Sequence, residues 1–393
     1  MVKVLFMYHV SSIGGGSYCL LNILKKIDRT YVEPIVLLKN DGPLVAEIKA
    51  LGISVYFLPT LSTVPYNVST FTFSKIRNAV RLISSFKQYR TILKELAPDI
   101  VYVNTMMLYP YLRPAKENNI KAIIHIREHW PKGEHEWQRN IALKRIDKFA
   151  DQIVAINSYS ASMLDFSVKP KTIVYDWIDL SCRFKEIPMS SIFNEDMTGK
   201  KVYLYMGGMQ PIKGALEVIT SFSSAVSDPN ARLLALGFNG NCYSRGWRGV
   251  VKKIMTYLGH VPYTEKVMQA INADSRIKCI PSEYMINNII QQAYCILSYF
   301  TIPHANLALA ESIILGTPSI VADTEESREY SLQGKLASLF KINDISDFQN
   351  KIRHFDDIRP LLIKEIKIYG SDISEMFNTE SNAKRLNKIL KQI

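Results

Sequence analysis

Short β-branched runs alternate with amphipathic helical stretches along the whole chain, and this alternation constrains the fold more than any other feature. In the first half, helical patterns separate most of the strand candidates, which are Val2–Met7, Pro34–Leu38, Ser54–Leu58, Ile100–Val103, Ala122–Ile126, Gln152–Ile156 and Thr172–Tyr175. The second half repeats the pattern at Val202–Tyr205, Leu233–Leu236, Ile277–Ile280, Cys295–Ser298 and Ser319–Ala322. Strands that alternate with helices in this way predict parallel sheets wrapped by helices.

The length of 393 residues indicates two domains, because a single hydrophobic core rarely grows beyond roughly 250–300 residues. Between the two halves, residues 181–200 show no apolar periodicity and read as an interdomain link. We therefore predict doubly wound α/β domains over residues 1–182 and 183–373, followed by a C-terminal helix over 374–393. In such sheets, ligands bind beyond the carboxyl ends of the strands.

Several classes of protein are excluded by what the sequence lacks. Its apolar runs are far shorter than the ~18 residues of a membrane span, and residues 1–8 do not have the layout of a signal peptide. Five scattered cysteines without a Cys-x-x-Cys pair exclude a disulfide scaffold and a zinc ribbon, and they suit a reducing cytoplasm.

A glycine-rich turn, Gly14–Gly16, follows the first strand and precedes a helix. Glycines let a ligand approach the backbone, and free N–H groups at a helix start attract an anion. The dinucleotide-binding fingerprint is not met, because Cys19 occupies the place of its third glycine and the expected acid is missing. We expect a ligand-facing loop here, with a simple tight turn as the alternative.

A similar turn follows the first strand of the second half and contains Gly207, Gly208, Lys213 and Gly214. A lysine at a helix start offers a point charge to a diphosphate. The segment is not a Walker loop, because the Gly-x-x-x-x-Gly-Lys-[Ser/Thr] pattern is absent. The alternative interpretation is a solvated lysine at a helix cap.

A third segment, residues 303–321, places one acid, Glu311, inside an apolar helical pattern. An acid on a helix that otherwise faces the core needs a partner, and the two hydroxyls of a ribose are suitable donors. A solvent-facing carboxylate, or one that is paired with a cation, is an equally open interpretation.

Taken in this order, these segments resemble glycosyltransferase family 4. The resemblance also includes residues 98–104 and 174–179 and therefore covers nearly the whole chain. It implies the GT-B fold, in which two Rossmann-like, doubly wound domains face each other across a cleft. It further implies a retaining, metal-independent glycosyltransferase of the hexosyl type that needs no cofactor and uses a nucleotide-diphospho-sugar as substrate. The absence of any Asp-x-Asp triplet is consistent with this.

By the same resemblance, Lys213 contacts the diphosphate of the donor and Glu311 contacts its ribose. The implied donor-binding residues lie in the three segments described above, and they are Gly15, Gly16, Gly207, Gly208, Lys213, His304, Asn306, Leu307, Ala308 and Glu311.

Three departures from the family pattern bear on activity. Gly208 stands where the family often has an arginine, Pro303 stands at the first acid of a glutamate pair, and Arg127 stands at a family histidine. Each replacement removes a charged or hydrogen-bonding group from the implied site. A second interpretation therefore stays open, a catalytically degenerate protein that binds nucleotide sugars. A GT-B-shaped epimerase is disfavoured, because carboxylates are scarce near the loops.

Arg127 and Glu128 follow the fifth strand and are, with Lys213, the candidate catalytic residues. Arg127 is suited to offsetting phosphate charge, while pairing of both side chains with neighbours is an equal alternative. Residues 128–137 contain histidines and acids, but their spacing is not that of a helical His-Glu-x-x-His pair. They are typical of a mobile loop on the acceptor side, and no metal is expected there.

A net charge of +12, from 48 basic and 36 acidic residues, suits a polyanion, an anionic membrane or a phosphate-bearing ligand. Between residues 71 and 94 there are six basic residues and no acid, in a helical pattern. Such a helix is typical of contact with an anionic membrane surface, and the side chains expected to face the lipid are Lys75, Arg77, Arg81, Lys87 and Arg90. The alternative is a sheet-covering helix with a solvated outer face. Nucleic acid is disfavoured.

These observations predict a cytoplasmic enzyme on the inner face of the cell membrane. It would transfer a sugar from a nucleotide-sugar donor to a saccharide or lipid-linked acceptor in surface polysaccharide biosynthesis.

Overall fold

The computed structural model of the protein describes residues 1–64, 73–133, 136–178, 187–238, 261–281 and 287–393, with the backbone alone for 73–80. The chain divides into two compact units. Unit 1 comprises Met1–Trp177 together with Phe377–Ile393, and unit 2 comprises Ile178–Met376.

Unit 1 contains a seven-stranded parallel sheet in the order β3-β2-β1-β4-β5-β6-β7. Its strands are β1 Val2–Met7, β2 Val32–Leu38, β3 Ser54–Phe57, β4 Ile100–Val103, β5 Lys121–Ile126, β6 Gln152–Ala155 and β7 Lys171–Ile173. Its first helices are α1 Gly15–Lys26, α2 Pro43–Ala50, α3 Phe73–Leu96, α4 Leu112–Glu117, α5 Glu136–Phe149 and α6 Ser158–Ser162, with a 3-10 helix at Met106–Tyr111.

Both faces of this sheet are buried, as expected of parallel strands that are apolar at nearly every position. Successive side chains of β1 point to opposite faces. Leu5 and Met7 join the core beneath α3, α4 and α5, whereas Val4 and Phe6 join the core beneath α1 and α2.

Unit 2 contains a six-stranded parallel sheet in the order β10-β9-β8-β11-β12-β13. Its strands are β8 Lys201–Tyr205, β9 Ala231–Leu236, β10 Ile277–Ile280, β11 Cys295–Ser298, β12 Ser319–Asp323 and β13 Ser338–Lys341. Its helices are α7 Met189–Phe193, α8 Ala215–Ala225, α9 Tyr263–Asn272, α10 Asn287–Gln292, α11 Leu307–Ile314, α12 Glu325–Tyr330, α13 Ile345–Arg353 and α14 Phe355–Met376, with a 3-10 helix at Pro211–Lys213.

The last helix, α15 Thr379–Gln392, belongs to unit 1 although it follows unit 2 in the chain. Leu386 and Leu390 are buried in the same core as Val4. The side-chain oxygen of Asn382 accepts a hydrogen bond of 3.1 Å from the Tyr175 backbone N–H. These contacts fix α15 on the face of the sheet that α1 and α2 cover.

All twelve strands predicted from the sequence are confirmed, with shifts of at most two residues at their ends. The thirteenth strand, β13, was missed because only two of its four residues are apolar. The division after Trp177 differs from the predicted boundary at residue 182, which lies outside the described residues. The predicted final helix starts at Thr379 rather than at 374, because residues 374–376 complete α14. No described helix is both long and apolar enough to cross a membrane.

Candidate functional site

The loop after β8 is folded back over the end of its own strand. The Tyr205 hydroxyl lies 3.0 and 3.1 Å from the backbone carbonyl oxygens of Gly208 and Lys213, which share its one proton as acceptors. The loop therefore closes into a tight turn that brings Lys213 back to the carboxyl end of the sheet.

Two glycines are required for this turn. A Cβ at position 207 would overlap the Tyr205 ring and hydroxyl. Gly214 has φ of +64° and a Cβ there would overlap the Tyr299 carbonyl. At position 214 only glycine combines a left-handed backbone with close approach to the residue after β11. The fold of this turn therefore requires glycine at positions 207 and 214 whether or not a ligand binds there.

Gly208, where the related pattern has an arginine, also has a left-handed backbone, with φ of +61°. A Cβ would lie 3.2 Å from the Gly237 carbonyl oxygen. An arginine at this position would therefore be strained, which explains why this chain has glycine there.

Lys213 is the charged group of this turn. Burial lowers the pKa of Lys213 below its ordinary value of 10.5. Within the described ranges, no carboxylate lies within 4.0 Å of its ammonium. An incompletely hydrated ammonium without a counter-ion is a suitable partner for an anion.

The neighbouring loop follows β11, which pairs with β8. The Thr301 backbone N–H donates a 3.0 Å hydrogen bond to the Ile212 carbonyl, which joins this loop to the Lys213 turn. Burial, and then the charge of Lys213, lower the pKa of His304 to about 4, so its imidazole is neutral near pH 7. Among the described atoms, its Nδ1 is buried without a hydrogen-bond partner.

Asn306 begins α11 at the end of this loop. Its Oδ1 accepts a hydrogen bond of 3.3 Å from the Leu309 N–H, and its Nδ2 donates to Ser298 Oγ at 3.0 Å. The N–H groups of Leu307 and Ala308, in the first turn of the helix, have no acceptor within it. Lys213, His304 and this helix start all follow two neighbouring parallel strands.

Glu311 lies on the second turn of α11 and is 7% exposed. The interpretation of a solvent-facing carboxylate is therefore wrong. Three apolar residues of the same helix, Leu309, Ala310 and Ile313, are also buried.

At the carboxyl end of β1 in unit 1, the glycine-rich turn leads directly into α1. A Cβ on Gly16 would overlap the Tyr8 hydroxyl, whereas a Cβ on Gly14 or Gly15 would meet nothing within 4 Å. Ser17 Oγ closes the turn by donating to the Ser12 carbonyl at 2.7 Å. Gly16 is thus needed for packing, and Gly14 and Gly15 leave open space.

Arg127 and Glu128, the other candidate catalytic residues, are both buried and are engaged by neighbours. Arg127 forms an ion pair with Asp176, and its Nε donates to Asn104 Oδ1 at 3.0 Å. Burial opposes the charge of Arg127, but Asp176 outweighs it and raises the pKa above the ordinary value. The alternative of pairing with neighbours is what the structure shows.

Glu128 is held at the start of the 3-10 helix. Its carboxylate accepts hydrogen bonds from the Thr105 hydroxyl and, at 2.8 Å, from the Met106 N–H. Burial raises the pKa of Glu128 above its ordinary value. This geometry is that of a carboxylate that stabilises the loop after β4.

Unit 1 also contains two buried histidines, His125 and His129, and the half-buried His9. Burial lowers the pKa of His9 and of His129 to about 4. His125 Nδ1 lies 2.7 Å from the Tyr102 hydroxyl, and burial also lowers its pKa. The sequence does not predict the burial of these histidines, because the residues that surround them are distant in the chain.

Residues 128–133 form a loop that packs against α5 and α6, and its mobility and its place on the acceptor side stay predictions. His129 stacks on Tyr159 with ring centroids 3.8 Å apart, and the Trp130 carbonyl accepts a 2.7 Å hydrogen bond from Arg139. Trp137 belongs to α5. Glu134 and His135 lie outside the described residues, and the described remainder of the chain holds no cluster of three potential metal ligands.

The basic helix of the sequence is α3. Arg81 and Lys87 are exposed, and Arg90 pairs with Glu117 at 2.7 Å. The side chains of Lys75 and Arg77 lie outside the described part of the helix. Its inner face covers the sheet through Tyr89 and other buried residues, as the alternative interpretation required.

The whole chain matches solved GT-B glycosyltransferases in structure. HepE from Anabaena, in complex with UDP-glucose, matches with a TM-score of 0.75 and 16% identity over 100% of both chains. A glycosyltransferase from Rickettsia africae matches with a TM-score of 0.70 and 15% identity, over 100% of this chain and 98% of that chain. S. aureus TarM, in complex with fondaparinux, α-GlcNAc-glycerol and UDP, matches with 0.69 and 12%, over 98% and 99%. No protein-family model and no curated protein matches the sequence.

Proposed function

We propose that this protein, which has the GT-B fold, is a retaining glycosyltransferase of the family 4 type. It takes a sugar from a nucleotide-diphospho-sugar. The observation that carries the proposal is the ammonium of Lys213, which has no carboxylate partner among the described residues and lies near His304, in the loop that leads into α11. Structural neighbours that bind UDP and UDP-glucose support the choice of donor class.

In this proposal the residues of unit 2 bind the donor. Lys213 and the N–H groups of Leu307 and Ala308 bind the diphosphate, and Glu311 accepts hydrogen bonds from the ribose hydroxyls. Asn306 holds the start of α11 in place, and neutral His304 offers a hydrogen bond to the donor without adding charge.

The reaction breaks the bond between the anomeric carbon and the diphosphate oxygen. A hydroxyl of the acceptor forms the new bond on the same face of the sugar, and its proton passes to an oxygen of the departing diphosphate. The charge that grows on the leaving diphosphate is offset by Lys213 and the helix-start N–H groups, so no metal is required in this scheme. The glycine turns let the backbone approach the phosphates. Catalytic roles for Arg127 and Glu128 stay predictions.

We further propose that the acceptor is a saccharide or a lipid-linked saccharide of surface polysaccharide synthesis, used at the inner face of the cell membrane. The neighbour TarM was solved with a saccharide and a glycosylated glycerol, which supports a saccharide acceptor. The exposed cations of α3 and the net charge of +12 support contact with an anionic membrane.

The test measures sugar transfer and donor hydrolysis across a panel of nucleotide sugars. We expect Lys213→Ala and Glu311→Ala each to reduce turnover at least 100-fold, because each removes a contact to the activated donor. Lys266→Ala, an exposed lysine of unit 2, is the matched control and keeps full activity. Unchanged transfer in both site variants would end this assignment.

A catalytically degenerate nucleotide-sugar-binding protein is the second candidate. It is favoured by the left-handed backbone at Gly208, where an arginine would be strained, and by Pro303 in place of an acid. Calorimetry separates the two candidates. Donor binding that depends on Lys213, without hydrolysis or transfer for any donor tested, supports the second.

A further inference from the structure

Helix α5 presents an unusual stripe to the outside of unit 1. Trp137, Ile141, Lys144 and Lys148 follow one another at intervals of four, three and four residues, which places all four on one face of the helix. Trp137 is 57% exposed and Ile141 is 41% exposed. Exposed tryptophan is unusual, because burial of its large ring is strongly favourable.

The loop after α6 extends this stripe. Ser167 Oγ donates a 2.5 Å hydrogen bond to Asp147 on the last turn of α5, which holds the loop against the helix. The residues on either side of Ser167 are open to solvent, with Phe166 58% and Val168 97% exposed. We call these six residues the α5 ridge: Trp137, Ile141, Lys144, Lys148, Phe166 and Val168.

Helix α3, on the same face of the sheet, repeats the pattern. Ile83, which is 71% exposed, is followed at the same intervals of four, three and four by Lys87, Arg90 and Lys94. Five of the eight exposed large apolar side chains in the described part of unit 1 lie on α3 or on the α5 ridge. The helices on the opposite face, α1, α2 and α15, have none.

The helices of this face are also rich in basic residues. The sequences of α3, α4 and α5 contain twelve basic and four acidic residues, a surplus of eight in a chain whose net charge is +12. Apolar side chains flanked by lysines and arginines match the interface of an anionic bilayer, where cations meet headgroups and tryptophan lies at the acyl boundary. A second copy of the chain on this face would bring two positive surfaces together, which is unfavourable.

We infer that the α5 ridge inserts into the interface of an anionic lipid bilayer, with Trp137 and Ile141 in the acyl boundary and Lys144 and Lys148 at the headgroups. This inference deepens the membrane part of the proposed function, in which α3 alone carried the contact. The inference adds the insertion of apolar side chains into the bilayer to the attraction between basic side chains and anionic headgroups.

Tryptophan fluorescence tests the insertion directly. Trp130 and Trp177 are buried in the unit 1 core, and Trp247 lies outside the described residues. The full chain is mixed with phosphatidylglycerol–phosphatidylcholine vesicles, with brominated lipid as the quencher. We expect a blue shift and quenching in the native protein. Trp137→Phe should remove that signal while the protein still sediments with the vesicles.

Trp137→Ala should weaken partitioning to these vesicles about tenfold, because it removes the largest apolar side chain of the ridge. Leu361→Ala, a 58% exposed leucine of unit 2, is the matched control and should bind as the native protein does. Circular dichroism and thermal unfolding verify that the variants are folded, as expected for an exposed position.

Equal vesicle binding by Trp137→Ala and native protein, with no quenching difference between native protein and Trp137→Phe, would overturn the inference. Self-association in place of vesicle binding, or no binding to the vesicles at all, would also overturn it. The affinity for UDP, measured in solution, reports on the proposed donor site alone, so the two proposals fail separately.

Discussion

Both sheets have charged residues at the carboxyl ends of their strands. In unit 1 these residues have partners within the protein, whereas Lys213 in unit 2 has no carboxylate partner among the described residues. In unit 1, Arg127 is buried against Asp176, and Glu128 accepts hydrogen bonds from the Thr105 hydroxyl and from the backbone N–H groups of Met106 and Arg127. Each of these charged groups therefore has partners within the protein. In unit 2, Lys213 lies near the neutral His304 and has no carboxylate within 4.0 Å among the described residues.

The difference teaches how to separate structural charges from ligand-binding ones. A buried pair mainly prevents the large cost of an isolated charge, so losing one member destabilises the fold. A partly buried cation without a partner gains its counter-ion from a ligand, so its loss affects binding while the fold survives. The following predictions test this distinction.

The largest effect is expected at the unit 1 edge. Arg127→Met leaves Asp176 without its partner and should lower the free energy of unfolding by about 3–5 kcal/mol. Urea unfolding followed by circular dichroism measures the loss, and hydrogen exchange localises it to the strands of unit 1.

Arg113→Met is the matched control for this prediction. Arg113 forms an exposed i,i+4 pair with Glu117, and its loss should cost no more than about 0.5 kcal/mol. Adding Asp176→Leu to Arg127→Met should recover part of the stability. A cost for Arg127→Met that equals the control would show that the buried pair is not structural.

A smaller effect is expected from the turns of the two edges. Gly214→Ala in unit 2 forces a side chain into a left-handed backbone and against the Tyr299 carbonyl, and should cost roughly 1–3 kcal/mol. Gly15→Ala in unit 1 enters open space at a helix start and should leave the midpoint of thermal unfolding within a few degrees. Similar losses at both positions would contradict the assignment of the turns.

The smallest effect is expected from pH. In unit 1, His9 and His129 have pKa values of about 4 when folded and about 6.5 when unfolded, and burial also lowers the pKa of His125. The unfolded chain therefore binds more protons between pH 6.5 and 4, and the stability that these groups contribute falls as pH falls through that window. His9 and His129 each cost on the order of 1 kcal/mol at pH 5.5. The raised pKa of Glu128 acts in the opposite direction.

In unit 2 the two opposing effects are more nearly matched. His304 loses stability on acidification as the histidines of unit 1 do, but burial raises the pKa of Glu326 to about 7. Because an unfolded glutamate titrates near 4.5, lowering the pH from 7 to 4.5 favours folded Glu326. Calorimetry at pH 7 and 5.5 should show the larger loss in unit 1. Glu326→Gln should increase the acid sensitivity of unit 2, and no change would contradict the role of Glu326.

Much of the fold and part of the site could be read from the sequence. Buried parallel strands are apolar at nearly every position, so twelve strands were visible, and β13 was missed because its apolar residues are few. The glycine turn with Lys213 could be predicted because its glycines and its lysine lie within one short segment of the sequence.

The partner of Arg127 was not predictable in this way. Asp176 is 49 residues further along the chain, and only the order of the strands brings the two side chains together. The same holds for α15, whose buried leucines return to unit 1 after the whole of unit 2.

The sequence by itself determined the alternation of strands and helices, the two sheets and the position of the glycine turns, because these depend on residues close to one another in the chain. Only the tertiary structure decided which charges are neutralised and which are not. It also decided that Trp137 faces outward while Trp130 and Trp177 are buried. The physical reason is that electrostatic pairing and burial depend on distances in space, and in a parallel sheet these join residues that are far apart in sequence.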